Sequence, residues 1–229
     1  MCQLLGLNSS LPAALGPFFD VFAERGGRTD EHKDGWGIAF HSGKRCRLFT
    51  DHRAAIDSPL AARIRRQPLR ARNILAHIRK ATQGRIALEN SHPFARRLWD
   101  QTWSFAHNGD LKGFAPTPSL YRPQGDTDSE AAFCHLLSQL ARRFPHGAPP
   151  PAVLRAAMAE VAAEIATHGT FNFILSNGEA LFAHCSTNLH YRLEAGKAII
   201  ATQPVDSIDG WIAFAAGELK AFGQGTLRG

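Results

Sequence analysis

The chain has 229 residues, a mass of 25.0 kDa, 44% hydrophobic residues and a net charge of +6. This length favours one large domain, and the apolar content excludes a disordered chain. The positive charge suits a nucleic-acid partner, but no nucleic-acid module accompanies it, so we favour a basic surface that faces solvent or an acidic ligand. No apolar stretch approaches the ~20 residues of a membrane span, and the first residues lack the basic start of a signal peptide. We therefore expect a cytoplasmic protein without a membrane partner.

Apolar periodicity and turn residues predict strands at both ends of the chain and two long helices between them. Asn177-Gly178 and Ala195-Gly196 have the composition of hairpin turns. This order of elements is typical of an α+β fold. In chain order we predict a strand over 2–7, a helix from the Ser9-Ser10 start through Arg25, strands over 35–40 and 45–50, a helix over 59–67, a strand over 73–78, a loop over 81–98, a strand over 103–107, helices over 128–144 and 151–167, and strands over 171–175, 180–184, 190–193 and 198–201.

Cys2 is the first candidate for chemistry. Initiator Met is usually removed before a small residue, and removal would place a free α-amine on the cysteine itself. An α-amine has a pKa of about 7.7–8.0, so it can accept the thiol proton near neutral pH. The alternative is an ordinary thiol, which is our interpretation of Cys46, Cys134 and Cys185.

The segment HIRKATQG at residues 77–84 delivers Arg79 and Thr82 to the end of a predicted strand. An arginine fork binds a carboxylate through two hydrogen bonds, and a nearby hydroxyl can add another. The alternative is a surface cation beside a turn residue.

The segment HNGD at residues 107–110 allows two interpretations. The Asn-Gly pair is a strong signal for a type I′ hairpin turn. An Asn108 side-chain amide and a Gly109 backbone N–H could instead be the two donors of an oxyanion hole.

The segment GDTDSE at residues 125–130 precedes an apolar helix. Thr127 and Glu130 have the spacing of a capping box. A cap does not require the further acid, Asp128, although the helix dipole favours a carboxylate in the first turn.

These motifs together resemble the class II glutamine amidotransferase domains, and in particular the standalone branch of that family. The resemblance covers about residues 2–215, which we predict to be the domain, with a short C-terminal tail over 216–229. Lys80 stands where many glutamine-dependent synthases have Trp, as in the standalone branch. The matching motifs are Cys2, DGWG at 34–37, HIRKATQG at 77–84, NSHPF at 90–94, HNGD at 107–110 and GDTDSE at 125–130.

The resemblance implies an N-terminal-nucleophile hydrolase fold, which is a four-layer αββα sandwich. It also implies that the Cys2 thiolate attacks a glutamine side-chain amide, that ammonia leaves, and that water hydrolyses the thioester. The implied roles are Cys2 as nucleophile and, through its amine, as base, Asn108 and Gly109 as oxyanion donors, Arg79 and Thr82 as carboxylate ligands, and Asp128 as the ammonium ligand. No cofactor is implied, and we expect His77, His92 and His107 to be structural residues rather than a zinc site.

Three functions stay open. The protein could be a glutaminase that supplies ammonia to a synthase partner, or an independent amidohydrolase that acts on a γ-glutamyl compound. The third is a non-enzymatic binding module that uses a basic surface for RNA or an acidic partner. That surface, here called the arginine surface, consists of Arg63, Arg65, Arg66, Arg70 and Arg72.

Overall fold

Four α-helices and thirteen strands are formed by residues 2–82, 84–117 and 119–228, which a computed structural model describes. None of these four helices is long and apolar enough to cross a lipid bilayer. The helices are α1 (Pro17–Glu24), α2 (Pro59–Arg66), α3 (Asp128–Arg143) and α4 (Pro151–Ala166). The strands are β1 (Gln3–Ala13), β2 (Trp36–Ser42), β3 (Arg45–Asp51), β4 (Ala71–Ile78), β5 (Phe94–Leu98), β6 (Gln101–Leu111), β7 (Gly169–Ser176), β8 (Leu181–Cys185), β9 (His190–Glu194), β10 (Lys197–Ala201), β11 (Ile212–Ala213), β12 (Glu218–Gly223) and β13 (Thr226–Arg228).

The strands form two antiparallel sheets. The first has the order β11-β9-β10-β1-β4-β2-β3, so β1 lies in its centre. The second has the order β13-β12-β8-β7-β6-β5. Helices α1 and α2 contribute to the hydrophobic cluster on one face of the first sheet, and α3 and α4 contribute to the cluster on one face of the second. The result is the predicted four-layer αββα sandwich.

Alternation along β1 shows how the sequence builds these layers. Leu5 and Leu7 belong to the cluster that contacts α1 and α2, whereas Leu4 belongs to the cluster between the sheets. Successive strand residues point to opposite faces, so one apolar strand supplies two cores. The same inner cluster contains Ala106 and Ile174 of the second sheet.

The predicted helix from Ser9 is wrong over its first half. Strand β1 continues to Ala13, because Ser9 pairs with Lys197 and Ala13 pairs with Ala71. The helix begins only at Pro17, where proline is suited to a first turn because its missing N–H has no helical partner there. Tertiary pairing therefore decided the conformation of a segment whose local signals favoured a helix.

The predicted loop over 81–98 contains β5, which forms the edge of the second sheet. Arg96 and Arg97 interrupt its apolar pattern, and charged side chains are common on edge strands because they prevent pairing with other molecules. Periodicity alone therefore misses this strand.

The Asn108-Gly109 pair is not a turn. Both residues lie within β6, where they pair with Asn172 and Phe171 of β7. A Cβ atom on Gly109 would lie 1.8 Å from the carbonyl oxygen of Thr170. The glycine is therefore needed for the close approach of the two strands rather than for a positive φ angle.

The residues of the predicted C-terminal tail complete the second sheet. Strand β12 pairs with β8, and β13 pairs with β12. Phe222 is fully buried and belongs to the cluster between the sheets. The apolar core of the sandwich therefore includes a residue beyond position 215.

We expect Phe222→Ala to lower the free energy of unfolding by about 3–5 kcal/mol, because it leaves a cavity in the inner core. Urea denaturation measures this loss. Leu227→Ala in β13 is the matched control, since Leu227 is 41% exposed, and it should change stability by no more than about 0.5 kcal/mol. Equal losses in the two variants would contradict a structural role for β12.

We expect Gly109→Ala to destabilise the protein strongly, because backbone atoms of β7 must move to admit the methyl group. Gly113→Ala is the control. Gly113 also resists a side chain, with φ of +67°, but no atom lies within 4 Å of its added Cβ, so its cost should stay near the ~1–2 kcal/mol of a left-handed residue. A smaller loss for Gly109→Ala than for Gly113→Ala would refute the close-approach argument.

Candidate active site

Cys2 immediately precedes the central strand β1, and its thiol lies against the backbone of Lys80. The Lys80 N–H donates to Sγ at 3.3 Å, and Sγ lies 3.3 Å from the Lys80 carbonyl oxygen. Burial raises the pKa of the Cys2 thiol above its usual value, while the Lys80 N–H and the charge of Arg79 partly oppose this shift. At neutral pH the thiol is therefore protonated and needs a base before it can act as a nucleophile.

Arg79 lies beside Cys2 because β4 pairs with β1, with Ile78 opposite Gln3. The arginine is only 3% exposed. Its guanidinium donates to the carbonyl oxygens of Arg85 at 3.0 Å and Gly84 at 3.2 Å. These bonds fix the plane of the guanidinium, as recognition of a carboxylate by an arginine fork requires.

Asp34 holds the segment that follows Arg79, although it is not among the predicted site residues. Its carboxylate accepts the backbone N–H of Ala81 at 2.7 Å. Its own N–H donates to the carbonyl of Arg79 at 3.2 Å, and Arg79 N–H donates to Gly35 at 2.8 Å. The sequence signal for this role was the position of Asp34 at the start of the DGWG motif. Thr82, at the far end of this segment, is exposed.

The backbone N–H of Gly109 points away from β7. The Lys112 N–H donates to the carbonyl oxygen of His168 at 2.9 Å. Hydrogen-bonded and non-bonded pairs alternate along antiparallel strands. The N–H groups of the odd-numbered residues at this end of β6 therefore point away from β7. On that side Leu111 N–H donates to the Asp128 carboxylate at 2.8 Å, and His107 N–H approaches His92 Nδ1 at 3.5 Å. The Gly109 N–H lies between these two groups, beyond the end of β5.

The side chain of Asn108 is buried between the sheets. Its Nδ2 donates to Thr202 Oγ1 at 3.3 Å, and its Oδ1 is a buried atom without a hydrogen-bond partner. Its backbone carbonyl accepts Asn172 Nδ2 at 3.1 Å. Sequence reasoning missed Thr202 and Asn172, since no motif contains them and they lie 94 and 64 residues from Asn108.

Asp128 begins α3 next to the end of β6. Besides Leu111 N–H, its carboxylate accepts the N–H of Ser129 at 2.7 Å. The cap of the helix is Thr127, whose hydroxyl accepts Glu130 N–H at 3.2 Å, so Asp128 is not needed for it. The charges of Asp128 and Arg79 both act on the Cys2 thiol. An anion and a cation therefore lie near the same sulfur atom.

Glu130 does not complete a capping box with Thr127, because its carboxylate binds other backbone groups. Its carboxylate is buried, accepts the N–H groups of Gln124 and Gly125 and forms an ion pair with the half-buried Arg96. It therefore fixes the loop before the helix and joins α3 to the edge strand β5.

The three histidines predicted to be structural lie near one another, and the His107 ring is on the helix side of β6, where its Nδ1 lies 2.8 Å from Ser129 Oγ of α3. His77 Nε2 lies 3.1 Å from both the His107 carbonyl oxygen and His92 Nδ1. Burial lowers the pKa of all three rings, to about 3 for His77, so they are neutral at physiological pH. Within 2–82, 84–117 and 119–228, no group of three or more His, Cys, Asp or Glu side chains has an arrangement that could hold a metal ion.

The arginine surface lies on the outer side of the first sheet, whereas Cys2 precedes the strand that places Leu4 between the sheets. Arg65 forms ion pairs with Asp20 and Glu24. Arg70 donates to the carbonyl of Pro12 at 3.2 Å. Part of this basic charge is therefore neutralised or engaged within the molecule.

Comparison with known proteins adds an independent result. Residues 1–195 match the family model described as class II glutamine amidotransferases. A Haemophilus influenzae protein named "Putative glutamine amidotransferase" is 50% identical over 192 residues, which are 83% of this chain and 65% of the relative. The chain thus spans less than two thirds of that relative. Escherichia coli YafJ, with the same description, is 39% identical over 97% of both chains.

Solved structures show the same fold. A Pseudomonas aeruginosa protein titled a predicted glutamine amidotransferase is 34% identical and superposes with a TM-score of 0.75 over 99% of both chains. The phosphoribosylpyrophosphate amidotransferase of B. subtilis superposes with a TM-score of 0.70 over 99% of this chain and 48% of its own, at 14% identity, which supports the fold alone. From the family match and the relatives, the chain belongs to the class II glutamine amidotransferases.

Proposed function

We propose that this protein cleaves the side-chain amide of glutamine or of a γ-glutamyl compound through a thioester on Cys2. The observation that carries the proposal is the environment of the Cys2 thiol, which has a fixed N–H donor from Lys80 at 3.3 Å and the opposite charges of Arg79 and Asp128 nearby. A γ-glutamyl substrate carries an α-carboxylate and an α-ammonium group. These two charges match the two side chains.

The proposed reaction begins after removal of Met1. The α-amine of Cys2 takes the thiol proton, and the thiolate attacks the amide carbon to form a tetrahedral oxyanion. Asn108 Nδ2 and the Gly109 N–H stabilise the negative oxygen. The C–N bond then breaks, and the protonated amine gives its proton to the departing nitrogen, which leaves as ammonia or as an amine.

Water completes the proposed cycle. The α-amine takes a proton from water as its oxygen attacks the thioester carbon, and a second oxyanion forms. The C–S bond breaks, the thiolate recovers the proton from the amine, and the product leaves as a γ-carboxylic acid that ionises in solution. Burial raises the pKa of the thiol, which favours its return to the neutral form and makes the amine necessary in each cycle.

Arg79 and Asp128 are the proposed head-group ligands, with Thr82 as a further carboxylate donor. The buried guanidinium is oriented by the carbonyls of residues 84 and 85, so little conformational entropy is lost when it binds a carboxylate. Asp128 is held by the N–H groups of Leu111 and Ser129. Such fixed charges recognise an amino-acid head group and leave the amide end to Cys2.

The fate of the released nitrogen defines two versions of the proposal. A glutaminase subunit would supply ammonia to a synthase partner, and an independent amidohydrolase would release an amine from a γ-glutamyl compound. The binding-module alternative gains little from the arginine surface, because Arg65 is ion-paired within the molecule. A panel of L-glutamine and γ-glutamyl amides, with ammonia or amine release as the readout, distinguishes the first two.

We expect Cys2→Ala to abolish hydrolysis of every active member of that panel while the protein stays folded. Cys46→Ala is the matched control, because burial raises the pKa of the Cys46 thiol to about 11, which makes it a poor nucleophile. Intact-mass measurement should also show loss of Met1 in the active protein. Hydrolysis by folded Cys2→Ala, or full activity of a preparation that retains Met1, would contradict the mechanism.

We expect Arg79→Lys and Asp128→Asn each to raise KM at least about tenfold. Lys keeps the charge but loses the fork, and Asn keeps the shape but loses the charge. Removing the α-carboxylate from the substrate should lower the activity of wild type far more than that of Arg79→Lys. Removing the α-amine should lower the activity of wild type far more than that of Asp128→Asn. In each case the variant has already lost the interaction that the analogue lacks, so the two losses are not additive. Equal losses toward every analogue would show that both residues are only structural.

A further inference from the structure

Thr202 is a buried residue at the junction of the two sheets. It directly follows β10, and it is 3% exposed. Its backbone N–H donates to the Leu4 carbonyl at 3.1 Å, and its Oγ1 accepts the Leu4 N–H at 2.9 Å. Both bonds attach Thr202 to the residue two positions after Cys2. The same hydroxyl reaches across to Asn108 in the second sheet.

The hydrogen bonds around Asn108 are unbalanced in this arrangement. Thr202 Oγ1 faces two donors, the Leu4 N–H and Asn108 Nδ2. Nearby, Asn108 Oδ1 is buried without a donor. A half-turn of the amide exchanges its nitrogen and oxygen, which differ little in size. The hydroxyl then donates to Oδ1, and Nδ2 occupies the place where no protein partner lies.

The backbone of Asn108 is held in place, so it cannot readily move to bring Oδ1 to a donor. Its backbone carbonyl is held by Asn172 Nδ2, and Asn172 Oδ1 in turn accepts the N–H groups of Ser186 at 2.8 Å and Thr187 at 3.0 Å. Asn172 is fully buried. Rotation of the Asn108 side-chain amide is therefore the movement that can give Oδ1 a donor.

We propose that Thr202 is the positioning residue that orients the Asn108 amide, donating its hydroxyl hydrogen to Oδ1 so that Nδ2 is free for the oxyanion. This inference rests on the proposed function. The Leu4 N–H donates to Thr202 Oγ1, so the hydroxyl hydrogen of Thr202 points away from Leu4. Asn108 Oδ1 is the nearby buried acceptor that has no donor. The chain that follows Cys2 thereby sets the orientation of a donor in the opposite sheet.

The test compares Thr202→Val, which keeps the shape without the hydroxyl, with Thr202→Ser, which keeps the hydroxyl. Loss of an oxyanion donor costs about 10²–10³ in kcat, so a misdirected donor should lower kcat about 10- to 100-fold. We expect this loss in Thr202→Val with KM changed less than about twofold, and kcat within about threefold of wild type in Thr202→Ser. In an Asn108→Ala background, Thr202→Val should cause little further loss.

Thermal unfolding and active-site titration of each variant report the folded fraction, and Thr202→Ala replaces Thr202→Val if the valine variant does not fold. If kcat per folded molecule is equal in the Val and Ser variants, or if the Asn108→Ala and Thr202→Val losses add fully, Thr202 is only structural and the inference is overturned. If wild type cleaves no γ-glutamyl amide, the proposed function itself fails, and the inference fails with it.

Discussion

The central position of β1 is the constraint on which the candidate site depends. This strand is paired on both sides, with β10 and with β4. The pairing register fixes Arg79 just beyond the end of β4 and Thr202 just beyond the end of β10. Cys2, which precedes β1, therefore has its surroundings set on both sides by backbone hydrogen bonds. A strand at the edge of the sheet would have only one such neighbour.

Buried polar contacts connect the two sheets at both ends of the sandwich. At the end near Cys2, His77 contacts the carbonyl of His107, and Thr202 contacts Asn108. At the other end, Asn73 donates to the Gly178 carbonyl at 2.7 Å. Leaving one such buried group without its partner costs about 1–3 kcal/mol. Apolar packing between the sheets gives cohesion, whereas these contacts specify how one sheet lies on the other.

Burial also sets the protonation states of the site. It raises the pKa of the Cys2 thiol and lowers the pKa values of His77, His92 and His107. The histidines are therefore neutral hydrogen-bonding groups at physiological pH. Since the thiol is also neutral there, the proposed mechanism relies on the α-amine as its base. The guanidinium of Arg79, which carries a permanent charge, donates to the backbone carbonyls of residues 84 and 85.

The sequence by itself indicated the α+β order of elements and the motifs of the site, and the four-layer sandwich was predicted from the resemblance of those motifs to a known family. Long apolar patterns predicted both long helices and most strands, because burial on one face leaves a period in the sequence. The motifs at Cys2, Arg79, Asn108, Gly109 and Asp128 named the candidate residues because each needs a particular side chain or a glycine. Their proposed roles remain predictions. Only tertiary structure decided that β1 continues to Ala13, that Asn108-Gly109 lies within a strand, and that Phe222 enters the inner core. Likewise, Thr202 and Asn172 gained their contacts with Asn108 through pairing between distant segments, which no local pattern records.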